Sequence, residues 1–122
     1  MDIIWSKEAD EILSVGLPLM EFHITNWALN REEAKSAVEK FHKLKIPILG
    51  GNVLEIVKGR PKYNYDNWHS DPEQGETKNE FLIRSIEKSR MYLHLYKILE
   101  KGNPLFTLVP YIQESASTQF LK

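Results

Sequence analysis

Three groupings in this chain have residue types that could do chemistry. Asp66, His69 and Asp71 bring two carboxylates and an imidazole close together in the chain. Such a set can move protons or ligate a metal. It stands alone, however: no second cluster supplies a partner, and no serine sits in a nucleophile-elbow pattern. Asp71-Pro72 is also ordinary turn chemistry. The histidines His23, His42, His69 and His94 fall in separate segments, none at His-x-x-x-His spacing, so a multi-histidine metal site is not expected. Gly50-Gly51-Asn52 has the glycines of a phosphate-binding loop. It lacks both the Gly-x-Gly-x-x-Gly and the Walker spacing, and no helix is predicted to follow it. A strand bulge that aims Asn52 is the expectation. With no cysteine in the chain, disulfides, thiol catalysis and cysteine-held metals are excluded. The residues therefore predict no enzymatic activity, no cofactor and no metal.

Residues 62–76, KYNYDNWHSDPEQGE, hold three aromatics and no aliphatic side chain, and turn formers throughout. They read as an ordered loop, with a short strand over Lys62 to Tyr65 as an option. Loops beyond ~12–15 residues in compact domains usually serve a function. From Asn64 to Glu80 the acids Asp66, Asp71, Glu73, Glu76 and Glu80 face only Lys78. From Ile83 to Lys101 the bases Arg84, Lys88, Arg90, Lys97 and Lys101 outnumber Glu87 and Glu100. One reading is a solvated loop beside a solvated helix. The other is an acidic loop that meets a basic partner, with Tyr63, Tyr65 and Trp68 as interface anchors. Trp68 could equally fold back into the core. The candidate partner-binding set is Tyr63, Tyr65, Asp66, Asn67, Trp68, His69, Asp71 and Glu73, with Trp68 as the proposed anchor. The formal net charge is −1, and the basic helix has mixed charges without stacking platforms. Neither suits a nucleic-acid surface.

The elements that position these residues follow from caps and periodicity. Ser6 caps a first helix whose buried face is Ala9, Ile12 and Leu13; Gly16 is the expected left-handed residue at its end, with Pro18 beyond. Met20, Phe22 and Ile24 alternate with polar residues, which predicts a strand. Trp27 to Leu29 is a second short extended candidate. Asn30 with Glu33 is a capping box for a second helix carrying Ala34, Ala37, Val38, Phe41 and Leu44, ended by Ile46-Pro47. Ile48-Leu49 and Val53 to Val57 form a strand broken at the glycines, followed by a turn over Lys58 to Pro61. Thr77 with Glu80 opens a third helix, predicted over 78–100, and Gly102-Asn103-Pro104 ends it. Its buried line is Leu82, Ile86, Ser89, Leu93 and Tyr96, flanked by Phe81, Tyr92 and Leu99. Leu105 to Tyr111 is a last strand, and 113–122 is expected to fray. Ala34, Val38, Phe41, Ile48, Leu82, Ile86, Leu93, Leu99, Leu105 and Leu108 are the predicted core.

A chain of 122 residues, 42% hydrophobic and 27% charged, is expected to be one globular domain, residues 1–122. The prediction is an α+β fold, with three helices packed on a small sheet of about three to five strands. No apolar run approaches the ~18 residues of a membrane span, and no signal peptide is visible.

Four stretches together resemble a known family. They are ALNREEA (Ala28 to Ala34), ILGGNV (Ile48 to Val53), YNYDNWHSDP (Tyr63 to Pro72) and FLIRSIEKSRMYL (Phe81 to Leu93). Their order and spacing, over roughly Trp5 to Tyr111, resemble the bacterial polymorphic-toxin immunity proteins catalogued as family forty. The Tyr-Asp-Asn-Trp string is the most specific piece. The family resembled prefers an aspartate after the two glycines, where this chain has Asn52. A contact made by that carboxylate does not carry over, whereas a turn role does. The resemblance implies a cytoplasmic antidote that binds and occludes one cognate secreted toxin. Two other readings of the residues stand beside it. One is a small enzyme using Asp66, His69 and Asp71, and the other a homo-oligomeric structural or regulatory domain assembled through the aromatic loop.

Overall fold

The computed structural model describes residues 2–97 and 102–112. Helix α1 (Lys7–Leu13) begins where Ser6 Oγ accepts the Ala9 N–H at 3.1 Å, and it buries Ala9, Ile12 and Leu13. It ends at Ser14 in a right-handed conformation, so Gly16 is not the left-handed cap that was expected. Gly16 is needed for a different reason. A Cβ there would lie 2.5 Å from the Ala28 carbonyl oxygen, where β1 (Leu17–Pro18) meets β2 (Trp27–Ala28). Between these two strands the predicted alternating strand is absent, and Met20–Phe22 form a 3-10 turn closed by His23 at φ 67°. The Leu19 carbonyl accepts from both Phe22 N and Ile24 N, while Leu19 N donates to the Asn26 carbonyl. These local bonds reverse the chain and seat Leu19 in the interior, which a strand through 20–24 could not do.

Helix α2 (Arg31–Lys43) has the predicted capping box: Asn30 Oδ1 accepts from Glu33 N at 2.8 Å, and Glu33 Oε1 from Asn30 N at 2.9 Å. Ala34, Ala37, Val38 and Phe41 are buried. Leu44 is 49% exposed, because the helix stops one residue short of it and Lys45 (φ 59°) turns the chain away.

Strands β3 (Ile48–Val57) and β4 (Arg60–His69) form a long antiparallel hairpin. Its two-residue turn, Lys58-Gly59, has positive φ at both positions, as a twisted hairpin requires. Arg60 and Pro61 therefore belong to β4, not to the turn. The predicted loop over 62–76 is largely this strand, and only the residues after His69 form the connection to α3. β4 lies at the sheet edge and is mostly exposed, so it lacks the aliphatic residues that mark an interior strand.

On its other side β3 pairs with β5 (Leu105–Phe106) and β6 (Val109–Pro110). The single last strand that was predicted is split at Thr107. Its N–H donates to the Asn52 carbonyl at 2.9 Å, and its Oγ1 accepts from Asn52 N at 3.1 Å. The register of β3 shifts on both sides of the double glycine, in line with the expected bulge. A Cβ on Gly51 would run into the Thr107 carbonyl oxygen and would sit 2.5 Å from the Trp68 ring. Gly51→Ala should therefore cost about 1–3 kcal/mol in a urea unfolding measurement, as overpacking of a closed core does.

Helix α3 (Lys78–Leu95) begins with the Thr77–Glu80 box, bonded at 3.0 and 2.8 Å. It stops at Leu95 rather than near residue 100, since Tyr96 is extended and its ring packs edge-on against Phe106. The predicted Leu99 and the tail 113–122 lie outside the described residues. Ser85 Oγ on the buried face accepts the Ile48 N–H at 3.1 Å, which ties α3 to the start of β3. The main core gathers Phe41, Ile48, Val53, Trp68, Ile86 and Phe106 with their neighbours, and Leu54 joins Leu19 and Ala28 in a second, smaller cluster. Of the predicted core, Leu105 is only partly buried, and the other described members are buried. Among the described residues the result is a small α+β domain with three helices, a two-stranded sheet and a four-stranded antiparallel sheet. No helix among the described residues is long and apolar enough to cross a membrane.

Candidate protein-binding surface

Trp68, near the end of β4, takes the second of its two expected roles. It is 5% exposed, its Nε1–H donates to Ser89 Oγ at 3.0 Å, and its ring stacks on Tyr92 at 4.5 Å. The pleat of β4 turns it under the sheet, so it holds the hairpin on α3 and offers no anchor to solvent.

The residues before it do the opposite. Asn52 pairs with Asn67 and Leu54 with Tyr63, so 64–66 together face Val53 alone. This wide bulge is held from within. Asn64 Oδ1 accepts from Asp66 N at 2.9 Å, and Asn67 Nδ2 donates to the Tyr65 carbonyl at 3.0 Å. From α3's end, the Tyr96 hydroxyl donates to Asp66 Oδ2 at 2.7 Å and accepts from Asn64 Nδ2 at 2.9 Å. Burial first, and then the Asp66 carboxylate, push the Tyr96 hydroxyl up to about 12. It therefore stays a neutral donor at ordinary pH. At the apex Tyr65 sits at φ 73° and is 85% exposed. A left-handed tyrosine costs on the order of 1–3 kcal/mol, which the four surrounding side-chain bonds offset. Tyr63, 38% exposed, flanks the bulge. Asn67, His69, Asp71 and Glu73 are also exposed.

The free edge of β4 is blunted on both sides of the bulge. The two-residue turn makes Val57 and Arg60 the first bonded pair, so Pro61 falls where backbone groups face away from β3 and has no N–H to offer. Beyond the bulge, Lys88 Nζ donates to the outward His69 carbonyl at 2.6 Å. Pairing with a foreign strand is thereby discouraged, and side chains are left as the means of recognition.

Of the expected acidic loop, Glu76 alone is neutralised by the helix that follows. Arg84 grips Glu76 through Nε and Nη2 at 2.6 and 2.8 Å and donates to the Asp71 carbonyl at 2.6 Å. Glu80 is spent on its capping box and Asp66 on Tyr96. Asp71 and Glu73 remain outward. The Asp66, His69 and Asp71 set does not act as one group: Asp66 belongs to the Tyr96 network, while His69 and Asp71, both largely exposed, meet at 3.8 Å. No group of three His, Asp or Glu residues placed to hold a metal occurs among the described residues. The Arg84 guanidinium holds Glu76 down to about 2. A lowered carboxyl stabilises the fold above its unfolded value and stops doing so as pH falls through its folded one. Amide protection in 71–76, taken relative to an unstructured chain at the same pH, should therefore fall as pH drops from about 4 toward 2, and an Arg84→Met variant should show that low protection already at neutral pH.

The supporting residue that sequence reasoning missed is Tyr96, assigned there to a buried helical line. Its distance in sequence from Asp66 left no local signal. Over this whole region, residues 18–110, the chain matches the family model described as Immunity protein 40. The chain belongs to the immunity protein 40 family. No curated protein and no solved structure matches it. Membership places this immunity protein among toxin inhibitors rather than enzymes, and it implies a cognate toxin as partner. In this immunity protein Asn52 bonds Thr107 through its backbone N–H and carbonyl. Such a role does not need a carboxylate.

Proposed function

We propose that this immunity protein binds its cognate toxin directly and blocks it by occlusion, within the cytoplasm of the cell that makes it. The contact surface is the bulged edge of β4 and its flank: Tyr63, Tyr65, Asp66, Asn67, His69, Asp71 and Glu73. Tyr65 takes the anchoring role that Trp68 cannot. The observation that carries this reading is the Tyr65 side chain, held out at positive φ by a dedicated polar network. A fold tolerates such strain where the exposed residue has work to do. Rigid aromatics with few rotatable bonds make strong interface anchors. A tight inhibitor needs roughly 1,200–2,000 Å² of buried area in total, more than the bulge supplies alone. Outward Asp71 and Glu73 fit a polar rim. The reading is tested by co-expressing the chain with the product of the adjacent upstream gene. A stable complex that loses the toxin's activity supports it. Neutralisation without a complex would contradict occlusion.

A further inference from the structure

The β3–β4 hairpin is built in two registers. Gly50, Gly51 and Asn52 pair with His69, Trp68 and Asn67, whereas Leu54, Glu55, Ile56 and Val57 pair with Tyr63, Lys62, Pro61 and Arg60. The second set is offset from the first by two residues, and the bulge at 64–66 takes up the difference. Carrying the first register onward would pair Val53 with Asp66, Leu54 with Tyr65, Ile56 with Tyr63 and Val57 with Lys62. Lys58 to Pro61 would then form a four-residue turn, the one that the sequence alone predicts and a common hairpin length. An offset of two keeps Tyr63 on the Leu54 face, because side chains alternate with period two. Burial of that face therefore does not choose between the registers. Backbone strain favours the regular one, in which Tyr65 leaves its φ of 73°.

The Asn64 amide opposes the slip. Its Oδ1 accepts from Asp66 N at 2.9 Å, and its Nδ2 donates to the Tyr96 hydroxyl at 2.9 Å. The first of these bonds closes a local turn. In a regular ladder the bonded pairs fall at every second residue from Val57, so Asp66 N would face Val53 instead. The Tyr96 hydroxyl also donates to Asp66 Oδ2, and its ring is seated edge-on against Phe106 in the core. At the turn, the Arg60 guanidinium over the Phe22 ring, 5.6 Å from its centre, adds a second hold. We infer that the hairpin has two accessible registers, and that Tyr96, acting through Asn64 and Asp66, is the positioning residue that keeps it in the bulged one. In the regular register Tyr65 lies in the ladder opposite Leu54 and no longer stands out. The register belongs to the free chain. That the bulged form is the one the toxin takes rests on the reading that Tyr65 anchors it.

The test is NMR of the full chain without partner. Leu54 and Ile56 turn their backbone groups away from β4, so their Hα atoms lie close to those of the residues opposite. Wild type should show the Leu54–Tyr63 and Ile56–Pro61 Hα contacts only. Tyr96→Phe keeps the ring and loses both hydroxyl bonds, one of them to a carboxylate. That shifts the ratio of registers on the order of 10-fold or more, enough to raise a ~1% form to ~10%. Leu54–Tyr65 and Ile56–Tyr63 contacts should then appear. Asn64→Ala should give the same new contacts without touching the core, and it decides the matter where Tyr96→Phe lowers the melting temperature. Adding Tyr65→Gly to Tyr96→Phe should remove them, since glycine holds φ 73° without strain. Bulged contacts alone in both single variants would overturn the inference. So would a hairpin that frays, losing the bulged contacts without gaining the regular ones. The product of the adjacent upstream gene, added to Tyr96→Phe, should erase the regular contacts. Their persistence in the complex would count against docking at Tyr65 and leave the two registers standing.

Discussion

Trp68→Ala is expected to remove about 3–5 kcal/mol of stability, the usual cost of emptying a large aromatic site. Against a total of roughly 5–15 kcal/mol for a domain, that leaves a large part of the population unfolded or close to it. The loss has three sources. The indole is buried and fills the space directly over Gly51. Its stack on Tyr92 joins β4 to α3. Its N–H satisfies Ser89 Oγ, and truncation strands that hydroxyl in the interior. Urea unfolding should show the loss directly, while affinity for the toxin, corrected for the folded fraction, should change far less. Trp68→Phe should fall between wild type and alanine, since it keeps an aromatic stack and abandons only the serine.

Tyr65 should behave in the reverse manner. Tyr65→Ala is expected to cost about 2 kcal/mol or more of binding and almost nothing in melting temperature, because the side chain touches solvent. Tyr65→Gly sharpens the contrast. Glycine adopts φ 73° without penalty, so this variant should be as stable as wild type or slightly more so, and still lose the toxin. Stability gained where binding is lost is what a residue kept for function at the fold's expense predicts. Isothermal titration and thermal melts on the same samples check both halves.

The two tryptophan and tyrosine roles show where sequence stops being informative. Signals contained within a few residues were legible: the Ser6 cap, the Asn30–Glu33 and Thr77–Glu80 boxes and the buried stripe of α2 all depend on neighbours in the chain. What depended on distant partners was not. β4 looked like a loop because an exposed edge strand needs no aliphatics, and only pairing with β3 makes it a strand. Met20 to Ile24 alternated like a strand yet had no ladder to join, and the turn bonds around Leu19 won. Which aromatic faces inward was decided by the three-residue bulge, and the bulge by Tyr96, thirty residues on from Asp66. The family likeness reached the class of partner by another route, through the order of four motifs.

Backbone hydrogen exchange of the chain, alone and saturated with its toxin, tests the central claim most directly. Slowed exchange over 63–73 is predicted, with the rest of the described surface unchanged. Protection confined to the opposite groove, where Ile46, Phe81 and Tyr111 line the space beside α3's first turn, would contradict it.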